Sequence, residues 1–289
     1  MLRPIDIAPG VQAFATRTPT LPPATHTNSY ALGSRDVMLV EPATPYADEQ
    51  ESWIEWARGL RASGRTLVAI FLTHHHPDHV GGSEIFAREL GLPVWAHRMT
   101  ADRVPHLRVE RWLDDGETVV LDGPAPQRWN VLHTPGHAPG HLCLHEPALG
   151  YLVAGDMVAS VGTILIEPTD GDMSAYLLSL ERLRRLGARS ALPAHGAPIE
   201  DPDALLERYL AHRRMRETKI VHALDQCGRA GATAEDLVPA VYDDTPSALW
   251  GLARLSVDAH LVKLVREGLV SAKGLRYCTS PAGHPMDPG

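Results

Sequence analysis

Thiols, aromatic rings and long apolar runs are all scarce in this chain. Three cysteines occur in 289 residues, Cys143, Cys227 and Cys278, far apart and with no C-x-x-C pair. That argues against a disulfide framework or a thiolate zinc site and fits a reducing cytoplasm. No run of eighteen apolar residues is present, so no membrane span is expected. The N-terminal MLRPIDIAPGVQ lacks the apolar core of a secretory signal, which again leads to a cytoplasmic expectation. An excess of positive charge is also missing: the formal net charge is −8, which disfavours tight nonspecific binding to nucleic acid. Residues 203–289 hold 11 basic and 11 acidic side chains, so the whole imbalance, 16 against 24, lies in the first 202. Two bound divalent cations would cancel part of it.

What is present is glycine and proline, 24 each, against 6% aromatics, a composition suited to tight turns between short strands. A hydrophobic content of 44% is ample for one large domain and a small one.

The chain is organised around residues 67–82, LVAIFLTHHHPDHVGG. The run Leu67 to Leu72 is apolar and β-branched-rich, and reads as a buried strand. It stops at Thr73 and delivers His74, His75, His76, Pro77, Asp78 and His79 into a loop, after which a helical pattern runs from Ser83 to Leu90. Imidazole and carboxylate are the usual ligands of zinc and related first-row metals. Alternate residues of an extended loop point the same way, so His74 and His76 can grip one ion. Asp78 and His79, past the Pro77 bend, can point to a second.

Three later loops have the same texture. HTPGHAPGHLCL (133–144) spaces His133, His137 and His141 by four, but Pro135, Gly136, Pro139 and Gly140 forbid a regular helix. His137, midway in that loop, is the best ligand candidate. His141 begins the next strand and is expected beside the site rather than on a metal. The strand Tyr151 to Ala154 ends at Gly155-Asp156, and the strand Ser190 to Ala194 runs into His195-Gly196. His97 has no acidic or histidine partner nearby in the chain and is read as structural.

The remaining elements frame these loops. Strands are expected at Val11 to Ala15, Ser29 to Leu32, Val37 to Val40, Pro93 to Ala96, Glu117 to Leu121 and Arg128 to Leu132. Thr27, Asn28, Ser29 and Tyr30 read as a loop-to-strand junction whose polar groups either reach a site or only close a turn. Asp48 to Ala62 has helical spacing, with Trp53, Trp56, Ala57 and Leu60 on one face and Gly64 as a stop. Asp172 caps a helix over Met173 to Leu186. Beyond Gly196, Asp201-Pro202 opens a long helix to about Cys227, carrying Arg208, Arg213, Arg214 and Arg216 on what reads as a solvated face. Helices over Thr233 to Tyr242 and Ser247 to Glu267, then a hairpin over Gly268 to Cys278, follow the winged-helix order. The tail, with three Pro and two Gly, reads as disordered.

THHHPDHVGG, TPGHAPGH, Gly155-Asp156 and PAHG (193–196), in that order, resemble the metal motifs of the metallo-β-lactamase-fold superfamily. The resemblance implies an α+β fold, an αββα sandwich over residues 1–200, with a winged-helix-like domain at 201–279 and a flexible tail at 280–289. It implies that His74, His76 and His137 hold one metal, that Asp78, His79 and His195 hold the other, and that Asp156 bridges them. Two ions, zinc first and manganese or iron as substitutes, would lower the pKa of a bridging water to supply hydroxide. Asp78 would also relay a proton to the leaving group. The C-terminal stretch, HRRMRETKIVHAL, VYDDTP and SVDAHLVKLVREGLV, resembles the β-lactamase-like protein 2 group, which includes an animal endoribonuclease and bacterial hydrolases. Asp156 stands where one class of true β-lactamases has a cysteine ligand, which speaks against antibiotic hydrolysis.

The expected function is therefore hydrolysis of an ester, thioester or lactone by a binuclear metal centre. A single-strand endoribonuclease is the alternative, with RNA in place of a small-molecule substrate. A winged-helix binding module with a vestigial enzyme domain fits poorly with seven intact candidate ligands. The C-terminal domain is expected either to cover the mouth of the site or to form a homodimer contact.

Overall fold

The computed structural model describes residues 3–280. Strands Ile5–Ala8 (β1), Val11–Arg17 (β2), His26–Leu32 (β3) and Asp36–Val40 (β4) open the chain. Helix Ala47–Ala62 (α1) leads into Thr66–Phe71 (β5), the short helix Pro77–Val80 (α2) and Ser83–Leu90 (α3). Val94–Ala96 (β6), Arg98–Ala101 (α4) and Arg111–Trp112 (β7) complete a seven-stranded sheet in the order β1-β2-β3-β4-β5-β6-β7. The second sheet holds Thr118–Leu121 (β8), Gln127–His133 (β9), Leu142–Glu146 (β10), Tyr151–Gly155 (β11) and, after helix Met173–Arg184 (α5), Ser190–Pro193 (β12). Its order is β12-β11-β10-β9-β8.

Strand alternation explains the layering. Along β4, Val37 and Leu39 face α1 and α3, whereas Met38 and Val40 face the other sheet, so both faces are buried and the strand reads as a continuous apolar run. Between the sheets lie Met38, Val40, Phe71, Trp129, Val153 and Leu192. Outside the first sheet, Trp53 stacks on Phe86 with centroids 4.0 Å apart, edge-on to Trp56. Outside the second, Leu180 and Leu183 of α5 pack with Leu206, Tyr209 and Leu210 of the long helix Pro202–Cys227 (α6). The product is an α+β, four-layered αββα sandwich.

The same α6 continues into a separate apolar cluster through Ile220, Ala223 and Leu224. There it meets Ala234–Val241 (α7), Trp250–Arg266 (α8) and the hairpin of Val270–Lys273 (β13) and Arg276–Thr279 (β14). Thr233 caps α7 in a reciprocal box with Asp236.

Three expectations need correction. Thr27 to Tyr30 lie inside β3 rather than at a loop junction, because the whole of β3 is paired with β2. The helix expected from Ser247 begins instead as a tight 3₁₀ turn, with the Leu249 amide bonded to the Pro246 carbonyl, and α8 proper starts at Trp250. Arg213 and Arg216 are buried rather than solvated, since both lie on the face of α6 that carries Leu206, Tyr209 and Ile220. Strands β1 and β7 add to the expected set. The tail from residue 281 lies outside the described residues.

Trp53 is fully buried, and its Nε1–H donates to Ser29 Oγ at 2.8 Å. Trp53→Ala is expected to cost roughly 3–5 kcal/mol through the cavity it leaves. Trp53→Phe is expected to cost less, about 1 kcal/mol for the lost hydrogen bond plus a smaller packing loss. Urea unfolding midpoints at unchanged slope check both.

Candidate metal centre

Both sheets contain a parallel pair, β4 with β5 and β11 with β12, and the strands of each pair end together. Their C-terminal ends bring four loops to one edge of the sandwich. β5 delivers Thr73 to His79, the β9–β10 loop delivers His137, β11 ends at Asp156, and β12 runs into His195. The β9–β10 loop can approach so closely because of Gly136. Its φ is +136°, and a Cβ there would lie 2.2 Å from the Cα of Tyr176 in α5.

His74 Nε2, His76 Nδ1 and His137 Nε2 meet, with separations of 3.0 Å, 2.9 Å and 3.2 Å. Each ring is held from behind. His76 Nε2–H donates to Asp170 Oδ2 at 3.0 Å, His137 Nδ1–H donates to the Leu165 carbonyl at 3.0 Å, and His74 Nδ1 is 2.9 Å from Thr73 Oγ1. The outward contacts to a carboxylate and a carbonyl fix the tautomers of His76 and His137, so the nitrogens that face each other present lone pairs. Burial, reinforced by the neighbouring imidazoles, holds His74 well below the usual imidazole range. Burial also pushes His137 down to about 4, against the pull of Asp156.

A second group forms beside the first from Asp78, His79 and His195. Asp78 Oδ2 is 3.5 Å from His195 Nε2 and 3.9 Å from His79 Nε2. His79 Nδ1–H donates to Glu41 Oε2 at 2.7 Å, and His195 Nδ1–H donates to the His26 carbonyl at 3.0 Å. Asp156 lies between the groups. Its Oδ2 is 3.5 Å from His137 Nε2, while its Oδ1 is 3.3 Å from His195 Nε2 and 3.5 Å from His79 Nε2. Burial opposes charge on these groups, but opposite charges outweigh it. Asp156 is held well below the usual carboxylate range by His195 and His79, and both of those histidines are raised.

His141 stands against this cluster without an inward nitrogen to spare. Its Nε2 accepts the Asp156 backbone N–H at 3.0 Å, which leaves Nδ1–H to donate to Thr134 Oγ1 at 2.9 Å. Gly155, at φ +50°, makes room for that ring, since a Cβ there would lie 2.5 Å from His141 Nε2. His75 turns away, with Nε2 3.2 Å from Asp170. His133 donates to the Pro139 carbonyl and stacks on His97, so neither joins the cluster.

The donor set suits a cation. Among the described residues, His79 Nε2 and Asp156 Oδ1 are buried and without a hydrogen-bond partner, although both face the centre of the cluster. Orphaned buried polar atoms are costly, and a divalent ion would satisfy them. Imidazole and carboxylate are the ligands that zinc, manganese and iron accept.

Two acidic residues at the site carry no motif and were missed in the sequence. Glu41 has φ +58°, rare for a residue with a side chain, and its carboxylate accepts from the Thr73 amide at 2.8 Å as well as from His79. Asp170 collects His75, His76 and Arg103. The Asn28 side-chain amide donates to the carbonyls of Pro193 and Gly196 at 3.0 Å and 2.8 Å, clamping the loop that carries His195.

The family model described as "Metallo-beta-lactamase superfamily" matches residues 22–195, more than half of the chain. The chain belongs to the metallo-β-lactamase superfamily. A second model, "Beta-lactamase associated winged helix domain", matches residues 233–276 of this superfamily member. It is 30% identical over 253 residues to a β-lactamase-like protein 2 homolog of Drosophila melanogaster, covering 84% of this chain and 83% of the relative. It is 29% identical over 234 residues to the atrochrysone carboxyl ACP thioesterase of Aspergillus chevalieri, covering 76% of this chain and 69% of that one. The crystal structure of a metallo-β-lactamase family protein from Thermus thermophilus superposes with a TM-score of 0.76 at 28% identity, covering 95% of this chain and all of that one. Membership makes the protein a metal-dependent hydrolase of this superfamily and implies divalent metal binding.

Glu41→Gln keeps the shape of the side chain but removes the charge opposite His79. Metal affinity is expected to fall roughly 10–100-fold, with the far-UV spectrum unchanged, in competition titrations against a chromophoric chelator. Equal affinity in the variant would show that Glu41 serves the backbone alone.

Proposed function

We propose that this protein hydrolyses an ester, thioester or lactone at a binuclear centre held by His74, His76, His137, Asp78, His79 and His195, with Asp156 shared between the two ions. The observation that carries the proposal is Asp156: its two oxygens face different imidazole groups, both of which open into one cavity. When bound, two such ions supply Lewis acidity and, from water at neutral pH, a hydroxide nucleophile. Zinc suits these ligands best, with manganese and iron as substitutes.

The protein's own part is to position and to move a proton. The back-side bonds of His76, His79, His137 and His195 keep the imidazoles aimed inward, so nothing needs to reorganise on binding. Asp78 lies at the edge of the cluster and borders the cavity; with Oδ2 turned to His79 and His195, its other carboxylate oxygen would accept a proton from the attacking water and return it to the departing oxygen or sulfur.

The cavity, about 460 Å³, supports a small substrate. The loop Pro19 to Ala24 and the segment Val161 to Leu165 form two walls, while Tyr242, Leu249 and Leu252 from the C-terminal segment form a third. These walls are mainly apolar, which suits an acyl chain. The relative from Aspergillus chevalieri named as a thioesterase supports the same reading. The endoribonuclease alternative finds less support, because Arg213 and Arg216 are buried within α6 packing and form no exposed phosphate track.

Three outcomes follow. Asp78→Asn is expected to lower kcat for a thioester by roughly 10²–10⁴-fold, and His76→Ala to abolish turnover, both with the fold retained by circular dichroism; full activity in either purified variant refutes the assignment. Exhaustive chelation is expected to remove activity and re-addition of zinc to restore it. The pH dependence has a defined sign: opposite charges, Asp156 foremost, raise His79 and His195 above the ordinary imidazole value against their burial, so in the metal-free protein both hold a proton to higher pH than a free imidazole does. Metal must displace those protons, so affinity should rise with pH through the neutral range, by about tenfold per unit for each proton displaced. A pH-independent affinity between pH 6 and 8 would contradict this.

A further inference from the structure

Arg213 has no role in the chemistry described so far, yet it borders the same cavity as His76, Asp78, His137, Asp156 and His195. It is 2% exposed. Its Nη2 donates to the Ile164 carbonyl, its guanidinium lies 5.5 Å from the centroid of the Tyr176 ring, and its buried Nε–H has no acceptor. A guanidinium does not shed its proton inside a protein, so this is a permanent buried charge. Among the described residues no carboxylate lies within ion-pairing distance of it. The contrast is with Arg216, one turn further along α6, which pairs with Asp244 at 2.8 Å and stacks on Tyr242.

The carboxylates that share the cavity are already engaged. Asp78 and Asp156 face the histidine cluster, Asp170 holds His75, His76 and Arg103, and Glu167 accepts from Thr169. The neighbouring imidazole of His212 is pushed down to about 4, by burial first and then by Arg213 and Arg216, so it brings no charge of its own. Buried charges are normally paired, and an unpaired one in a ligand cavity is most simply explained by a partner that arrives with the ligand.

We infer that Arg213 binds a carboxylate carried by the acyl part of the substrate, which makes the preferred substrate an ester or thioester of an acid with a second, free carboxyl group. The apolar walls then hold the intervening chain, and the scissile carbonyl is presented to the cluster. The Ile164 carbonyl takes one N–H of Nη2, so Nε–H and the Nη1 hydrogens remain for the oxygens of a carboxylate. This assignment rests on the hydrolase reading for its chemistry, but the anion site can be tested separately.

The test uses the metal-loaded full chain and a matched pair of thioesters, the monothioester of glutarate and the same compound with its free carboxyl methylated. The wild type is expected to favour the free acid at least tenfold in kcat/KM. Arg213→Gln is expected to bring that ratio to near one, chiefly through KM for the acid, and Arg213→Lys to recover part of it. A guanidinium that only braces the Ile164 segment would lower both substrates alike and leave the ratio standing, which would overturn the proposal, as would a wild-type ratio at or below one. Calorimetry supplies a readout free of turnover. 3-Phenylpropane-1-sulfonate, a poor metal ligand, is expected to bind the wild type at least tenfold tighter than 3-phenylpropan-1-ol, and the difference is expected to vanish in Arg213→Gln. If neither thioester is cleaved but this contrast holds, the hydrolase reading fails and the anion site stands. If thioesters are cleaved without any contrast, the anion site fails alone.

Discussion

Everything at the centre depends on one constraint: each inward nitrogen is available because the other nitrogen of its ring is occupied. His79 gives its outer N–H to Glu41, His137 to the Leu165 carbonyl, His195 to the His26 carbonyl and His76 to Asp170. An imidazole free to rotate could present either nitrogen, or a proton, to the cluster. One that is bonded outward to a carbonyl or carboxylate keeps its other nitrogen aimed inward, where it offers a lone pair once any proton there is displaced. The fold can be understood as the apparatus that supplies those outward partners, and they come from segments far apart in the chain.

Two connections show how core packing reaches the site. Trp53, on the buried face of α1, donates to Ser29 Oγ, and Ser29 in turn donates to the backbone carbonyl of Glu41. Glu41 is thereby held in its unusual positive-φ conformation, with its carboxylate turned to Thr73 and His79. On the other side, Tyr30 and Asn28 of β3 both donate to the Pro193 carbonyl, at 2.7 Å and 3.0 Å, tying the first sheet to the end of β12 just before His195. Each histidine group draws on loops of both sheets, so its internal spacing is set by how the sheets pack against each other, and a tightly packed interior resists changing it.

Much of this was legible in the chain because chemistry and punctuation coincide. Each of the four loops that carry candidate ligands has a Gly or Pro within two residues of one of them, so these loops stand out from the scaffold. The positions of α1, α3, α5 and α6 were readable from caps, Gly stops and apolar spacing. The outward partners were not. A carboxylate at Glu41 or Asp170 looks like any surface acid until tertiary contacts bring a histidine to it, and backbone carbonyls such as those of Leu165 and His26 carry no residue-type signal at all. Strands β1 and β7 were missed because four and two residues are too few to show a period.

The arginines of α6 are the instructive error. Four of them within nine residues suggest a charged, solvated helix, and Arg208 and Arg214 are indeed exposed. Yet the buried positions along α6 are Leu206, Tyr209, Leu210, Arg213, Arg216 and Ile220, a spacing of threes and fours that continues an apolar stripe straight through two cations. A charge at a core position of a helix is either neutralised there or serves something that enters from outside. Arg216 is neutralised by Asp244. Arg213 is not, and it lies where α6 passes from the sandwich to the C-terminal helices that wall the cavity. The C-terminal segment is thus built into the site rather than appended to it: the helix that attaches it also carries a buried cation that borders the cavity and has no carboxylate partner among the described residues.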